Sequence, residues 1–310
     1  MQSNESGTRA PAVSVGLPVF NGENYLNEAV DSILAQTFTD FELIISDNAS
    51  TDCTEEIGRW YAAHDDRVRY HRNDSNIGGA RNQKLTVDLS RGRYFRLSAH
   101  DDRIAPTFLE ECVRVLEDRS DVVIAYPGTI IIDDAGREVS EYVSTRGTAA
   151  TPSERFAELA FRNHHCDAIY GVVRGEVIRT TPPMDNHIDA DKVFLCRLAM
   201  RGPFAAVPER LLYKRFHAKN HVTNWRDRMA WYNPDRKGKP SFPNWMELRG
   251  FLGVVLGADI GLGERLRCAR TTLAWSLRYS PKLAKDLLVA AELAWSALRR
   301  KPRAGIYNWE

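Results

Sequence analysis

Tyr94-Phe95-Arg96-Leu97-Ser98-Ala99-His100-Asp101-Asp102 is a short apolar run that ends in adjacent carboxylates. A strand that delivers two Asp side chains to its exposed C-terminal end is a natural place to hold a divalent cation against phosphates. Asp-Asp alone is common in turns, so the surroundings decide its meaning. Upstream, Val13 to Val19 reads as a buried strand, and Tyr25, Leu26, Ala29, Val30, Ile33 and Leu34 then recur at helical spacing. Phe41 to Ile45 is the next strand, followed by a loop through Asp52 and a helix to about His64, with Ser50, Thr51 and Asp52 as caps. Val68 to His71 makes a third strand, and a Gly78-Gly79 loop opens a helix through Leu89. Strands alternating with helices imply βαβ units and a mostly parallel sheet, whose ligands lie beyond the strand C-termini. Loops 18–24, 46–52, 73–82 and 98–104 all fall on that edge, which points to a nucleotide site.

Downstream, Pro106 suits a helix start, Val122 to Tyr126 is a buried strand, and Ile130 to Val139 resembles a hairpin around Asp133–Gly136. Ser153 to Arg162 looks helical and Ala168 to Val173 looks like a strand. Asp189 to Arg201 reads as a helix closed by Gly202, and Phe204–Val207 and Leu211–Phe216 read as two strands. From about Thr223 the character shifts: Trp225, Trp231, Tyr232 and Trp245 interleave with a Pro/Lys/Arg loop, and two or three helices follow. Residues 261–310 hold ten Lys/Arg against four Asp/Glu, an excess of six cations. That tail fits either a packed cap or dimer arm, with Leu287, Leu288, Ala291, Leu293, Trp295 and Leu298 as its buried stripe, or a helix lying on an anionic bilayer. Packing or dimerisation is the favoured expectation.

The 310 residues suffice for one large core, or for a domain with an appendage. A formal net charge of +1 argues neither way on nucleic acid, and no nucleic-acid partner is expected. Cys53, Cys112, Cys166, Cys196 and Cys268 are scattered without metal-ligand spacing and read as reduced structural thiols. The polar N-terminus lacks the apolar core of a secretory signal, and no segment reaches about 18 uninterrupted apolar residues. The expectation is a cytoplasmic protein, at most peripheral on the inner face of the plasma membrane.

Several short elements occur in order: Pro18-Val19-Phe20-Asn21 with Leu26 at helical distance; Gln36-x-x-x-Asp40-Phe41-Glu42-Leu43-Ile44; Asp47-Asn48-Ala49-Ser50-Thr51-Asp52; Asn76-x-Gly78-x-Ala80-Arg81-Asn82; Gly92-Arg93-Tyr94; and His100-Asp101-Asp102. Together, at these spacings, residues 13–217 resemble an inverting family 2 glycosyltransferase of the GT-A fold. The resemblance implies an α/β architecture with a Rossmann-like, mostly parallel sheet flanked by helices and a helical C-terminal appendage. It divides the chain into a disordered tail (1–11), a catalytic domain (12–222, with a nucleotide-sugar half 12–104 and an acceptor half 105–222) and a helical region (223–310).

The resemblance also implies roles. Asp47 matches the carboxylate that accepts from a uracil-type imide N–H, although an Asx turn is the plainer use of such a residue. Pro18, Phe20 and Asn21 resemble the loop lining the base, with Phe20 equally able to serve as a core aromatic, and Glu23 stands at its lip. Asn76, Gly79 and Arg81 belong to the Gly-containing loop facing base or diphosphate, and His100 and Asp101 complete the donor-binding set. Asp102 would ligate Mg²⁺ or Mn²⁺ against the diphosphate oxygens, and His217 would complete the metal shell or touch the diphosphate. Where the family often carries a further carboxylate, this chain has Ala99. In Ile188-Asp189-Ala190-Asp191, Asp191 is the base expected to take the acceptor hydroxyl's proton, Asp189 is its rival, and Arg197 matches a basic position.

The expected reaction moves a sugar from a nucleoside-diphosphate sugar, UDP-linked by preference, to a glycan or lipid-linked acceptor in bacterial surface polysaccharide or glycan assembly. Residues 223–310 are expected to make peripheral membrane contact or a homodimer. A catalytically silent nucleotide-sugar-binding or scaffold protein is the rival, invited by Ala99. A nicotinamide dehydrogenase is disfavoured, because Val15-Gly16-Leu17-Pro18 stands where a Gly-x-Gly-x-x-Gly would follow the first strand.

Overall fold

The structure, a computed structural model, describes residues 9–161, 165–185, 187, 190–216 and 242–298. Strand β1 (Val13–Val19) is buried except at Pro18, and β2 (Phe41–Asp47) is buried at all seven positions. Such unbroken apolar runs belong to inner parallel strands covered on both faces. β1 pairs in parallel with β2 and with β4 (Tyr94–Leu97), and β2 pairs in parallel with β3 (Val68–Arg72). The connecting helices are α1 (Leu26–Leu34), α2 (Thr54–His64) and α3 (Gly79–Leu89). Helix α1 buries Leu26, Ala29, Val30 and Ile33, the spacing read from the sequence, while Leu34 is only partly covered. Helix α2 begins after Cys53, and Asp52 Oδ1 accepts the Thr54 N–H at 3.0 Å.

The second half adds β5 (Arg103–Ile104), α4 (Phe108–Asp118), β6 (Ile124–Ile132), β7 (Glu138–Tyr142) and α5 (Pro152–Phe161). Then come a 3₁₀ turn (Asp167–Tyr170), β8 (Val172–Arg174), α6 (Gly175–Thr180), α7 (Ala190–Ala199) and β9 (Phe204–Arg215). The sheet order is β3-β2-β1-β4-β8-β6-β9-β5, with β7 paired to β6 as the expected hairpin. Two expectations are corrected. Residues 168–173 are not one strand, because Cys166 takes a left-handed conformation and the chain turns once before β8. Residues 204–216 are not two strands but one, whose register against β6 shifts opposite Pro127 and Gly128, so that Pro208 and Glu209 are accommodated without ending it.

Helices cover both faces of the sheet. One core joins β1 and β2 to α1 and α4 through Val13, Leu17, Leu26, Phe108 and Leu109; the other joins Phe95 and Leu97 of β4 to α5 and α7. The C-terminal helices α8 (Pro243–Gly257), α9 (Leu262–Arg278) and α10 (Ser280–Leu298) extend this second core with Phe251, Cys268, Trp275 and Leu283. The expected buried stripe on α10 is turned around. Leu287, Leu288, Ala291 and Trp295 face outward, while Leu283, Asp286 and Val289 face the protein, because Asp286 accepts both the main-chain and the side-chain N–H of Asn244. All five cysteines are free, and only Cys53 is exposed.

At the N-terminal ends of β1 and β2, buried Glu42 accepts from Ser14 Oγ at 2.6 Å, Arg91 Nη2 at 2.7 Å and Arg69 Nη1 at 2.8 Å. Burial alone would raise its carboxyl; the bonds from Arg91, Ser14 and Arg69 outweigh that and hold it below the usual range.

Candidate functional site

The loops after β1 and β2 are stitched together side by side. Asn21 N–H donates to Ser50 Oγ at 2.9 Å, Asn21 Oδ1 accepts Thr51 N–H at 2.8 Å, and Gly22 N–H donates to Thr54 Oγ1 at 2.8 Å. Glu23 and Asp52 exchange bonds across the same seam: Glu23 N–H donates to Asp52, and Glu23 Oε2 accepts Cys53 N–H. Asn21 adopts a left-handed backbone (φ 53°), which Asn tolerates better than most residues. The turn leaves Phe20 on the surface, 36% exposed, so it is not a core aromatic. A Cβ on Gly22 would lie 2.5 Å from Val19 Cγ2 and 2.8 Å from His100 Cδ2. Only glycine lets the His100 ring close against this loop.

Asp47, at the end of β2, is fully buried. Its Oδ1 accepts Ser50 N–H at 2.9 Å, while Oδ2 accepts Tyr70 OH at 2.6 Å and Arg72 Nη1 at 2.5 Å. The Asx turn is therefore present, with Tyr70 and Arg72 fixing the carboxylate from β3. Beside it runs a network of amides. Asn48 Oδ1 accepts Asn73 Nδ2 and Ile77 N–H, Asn48 Nδ2 donates to Asn76 Oδ1, and Asn82 receives Ser46 Oγ and Asn73 Nδ2. Asn76 Oδ1 also accepts Gly78 N–H at 2.9 Å, and Gly78 takes φ 87°, a conformation that admits glycine most readily, so that Gly79 can begin α3. Arg81 is exposed on the first turn of that helix.

The acidic couplet lies in the loop after β4, which ends at Leu97, and against the expectation of an exposed strand end Asp102 is buried. Its Oδ1 accepts the Arg215 main-chain N–H at 2.9 Å. The fully buried Arg215 guanidinium donates to the carbonyls of Asp101 at 3.0 Å, Asp133 at 3.1 Å and Asp134 at 2.9 Å, and to Glu28 Oε2 at 2.6 Å, while lying 4.4 Å from the Tyr25 ring centroid. One side chain thus fastens the couplet to α1 and to the β6–β7 turn. Burial and the neighbouring Asp101 charge push the Asp102 carboxyl up to about 7, against the Arg215 N–H that lowers it.

A second acidic group completes the corner. Asp167 accepts Lys214 Nζ at 2.6 Å, Thr129 Oγ1 at 3.0 Å and Tyr142 OH. Burial raises its carboxyl above the ordinary value, and the Lys214 charge opposes that rise. Tyr170 ends the 3₁₀ turn that Asp167 begins. Burial, together with the charges of Asp102, Asp101, Asp167 and Asp191, drives its hydroxyl far upward, and Lys214 Nζ lies 5.9 Å from its ring centroid. Asp191 stands in the first turn of α7, with Oδ1 accepting Lys192 N–H at 2.9 Å. Beneath the couplet, fully buried Arg96 stacks 4.6 Å from the Phe108 ring centroid, and burial lowers it to about 10.

A family model described as Glycosyl transferase family 2 matches residues 14–171, half of the chain. The chain belongs to glycosyl transferase family 2. An uncharacterized glycosyltransferase of Rickettsia typhi is 36% identical over 132 residues, 42% of this chain and 40% of that protein. The chain spans less than half the length of the curated relatives it matches. Among solved structures, S. aureus TarS 1–349 in complex with UDP-GlcNAc is similar with a TM-score of 0.65 at 15% identity, covering 91% of this chain and 81% of that one. A mannosyltransferase from Pyrobaculum calidifontis in complex with GDP-Man and Mn²⁺ gives 0.51 at 18% identity, covering 94% and 81%. At such identities the likeness shows the fold, which is GT-A-like.

In this member of glycosyl transferase family 2, the residues expected from sequence fall into two groups. Pro18, Phe20, Asn21, Glu23, Asp47, Asn76, Gly79, Arg81 and His100 line or brace the loops at the strand ends, while Asp101 and Asp102 are held by Arg215 and Asp191 opens α7. His217 and Asp189 lie outside the described residues. Arg197 is occupied elsewhere, donating to the Pro183 carbonyl and to Asp185. The sequence reading missed Arg215, Lys214 and Asp167. The available signal was the consecutive Lys214-Arg215 pair that closes β9 directly after Leu211, Leu212 and Tyr213.

Among the described residues no three His, Cys, Asp or Glu side chains gather as a ready metal cage. The couplet nonetheless has the chemistry for a divalent cation. It places buried Asp102 next to partly exposed Asp101, and among the described residues Asp102 Oδ2 has no hydrogen-bond donor.

Proposed function

We propose that this chain is an inverting, metal-dependent transferase that moves a sugar from a nucleoside-diphosphate sugar, UDP-linked by preference, to an acceptor hydroxyl. The observation that carries this reading is the Asp101–Asp102 couplet, seated by the Arg215 main chain and guanidinium beside three loops at the C-terminal edge of the sheet. It is supported by the UDP-GlcNAc and GDP-Man complexes of the structural neighbours, and by the Mn²⁺ in one of them.

In this reading Phe20 and Pro18 flank the base, and Asp47 reads it by exchanging its Tyr70 or Arg72 bond for the imide N–H. A buried acceptor facing that donor discriminates well, since a wrong base leaves it unpaired. Asn76, Gly79, Arg81 and His100 border the diphosphate and sugar. Asp101 and Asp102, with His217, would hold Mg²⁺ or Mn²⁺, which when bound neutralises charge on the departing diphosphate. Arg215 keeps the couplet in place. Asp191 takes the acceptor hydroxyl's proton as the new bond forms on the face opposite the leaving group, and the α7 N-terminus favours its negative charge. We assign a glycan or lipid-linked acceptor in bacterial surface polysaccharide assembly.

A thermal-shift screen of nucleotide sugars with and without Mn²⁺ tests this reading, because ligand stabilisation reports affinity. One donor should raise the unfolding temperature, with the Mn²⁺-dependent part lost in Asp102→Ala, and that donor should release nucleoside diphosphate when an acceptor is added. Donor binding without turnover over a panel of acceptors, in parent and Asp191→Asn alike, would make the protein a silent nucleotide-sugar binder.

A further inference from the structure

Helix α9 has two apolar faces. Cys268, Thr272 and Trp275 are buried against the domain, whereas Leu262, Leu266, Leu273 and Leu277 are between 57% and 73% exposed. At about 100° per residue these four leucines fall within an arc of roughly 60° on the opposite side. The neighbouring helices repeat the pattern. On α8, Trp245, Leu252 and Leu256 stand outward in one row with Arg249 between them, and on α10, Leu287, Leu288 and Trp295 do the same. These rows exceed the scattered single hydrophobics that a surface ordinarily shows.

The exposed charge on these helices is mostly cationic. Glu247 and Asp286 are buried, Glu264 is engaged by Ser153 N–H and Arg267, Glu292 is partly covered, and Asp259 is exposed in the α8–α9 loop. Arg249, Arg270, Arg278 and Lys282 are exposed beside the apolar rows. No helix among the described residues is long and apolar enough to cross a membrane.

We propose that the outward face of α8–α10 docks on an anionic lipid bilayer. Leucine and tryptophan side chains enter the boundary between headgroups and acyl chains, and the arginine and lysine heads remain at phosphate level. A second copy of this chain fits less well, since a two-fold contact would press the cationic rim against itself. The surface is joined directly to catalytic helix α7. A Cβ on Gly250 of α8 would lie 2.8 Å from Val193, and Lys192 Nζ is 3.9 Å from Glu247. Docking therefore holds Asp191 one helix away from the membrane. That the membrane supplies a lipid-linked acceptor rests on the transferase reading; the docking itself does not.

The test is cosedimentation of the full chain with vesicles of phosphatidylglycerol mixed into phosphatidylcholine, and with phosphatidylcholine alone. The parent should bind the anionic vesicles. Leu266→Ser/Leu273→Ser/Leu277→Ser, and separately Arg270→Glu/Arg278→Glu, should each weaken binding about tenfold or more, with unfolding temperature confirming that they remain folded. If the leucine variant fails to fold, the charge-reversal variant alone decides. Equal binding to both vesicle types, no binding, or a concentration-dependent dimer in sedimentation that the leucine variant abolishes would overturn the proposal. Transfer to a soluble acceptor should be unchanged in both variants, so lost docking and a failed transferase reading give different results.

Discussion

Arg215 meets Glu28 at 2.6 Å across 187 residues of chain, and through this contact the acidic couplet is tied to the first helix. A lysine at 215 would keep the charge, yet one ammonium cannot serve Glu28 and the carbonyls of Asp101, Asp133 and Asp134 together. Arg215→Lys should therefore lose about 3 kcal/mol of stability in urea unfolding, as when a buried ionic contact is broken. Its kcat should fall on the order of 10²-fold through misplacement of Asp101 and Asp102. Glu28→Gln should be milder in both assays, because the Glu28 side chain is 46% exposed.

Asp191→Asn should lower kcat on the order of 10²–10⁴-fold, the usual worth of a positioned general base, while leaving the donor-induced thermal shift intact. Asp189→Asn should retain near-parental kcat. If the loss follows Asp189 instead, the base assignment moves there.

Glu42 provides a contrast far from the site. Its three side-chain partners and the Arg91 N–H lose their acceptor in Glu42→Ala, which should cost about 3 kcal/mol in urea unfolding. Donor affinity, measured well below the unfolding temperature, should not change.

Acid should loosen the attachment of α9 to α5. Arg267 and the Ser153 N–H hold the Glu264 carboxyl down to about 2 from an ordinary 4.5. A depressed carboxyl contributes stability that is complete above its unfolded value and disappears as pH falls through its folded value. Glu264→Gln should thus be less stable than the parent at pH 6 in urea titrations, and the difference should vanish below about pH 2.

The N-terminal half of the sheet was readable because its information is local. Valine-rich strands, helical spacing from Leu26 to Ile33, and Gly78 ahead of α3 each declare themselves within a few residues. Asp101 and Asp102 declared themselves by following an apolar strand within a few residues. The rest of the site depends on partners distant in sequence. Nothing near residue 215 indicates Glu28, and nothing near Asp47 indicates that Tyr70 and Arg72 will hold it. Helix α10 shows a different limit. Its periodicity revealed an apolar row but not the direction it would face, and the side bearing Asp286 won because that carboxylate has Asn244 to accept from.

Among the described residues, strand β5, which directly follows the couplet, joins the sheet by pairing with β9 alone, through Arg103 opposite Tyr213 and Ile104 opposite Leu212. During synthesis the couplet therefore emerges more than a hundred residues before the strand that seats it. Such distant pairings are slow to form, so the sheet's final closure is expected late in folding. A ribosome product released before β9 would carry both aspartates with nothing to aim them.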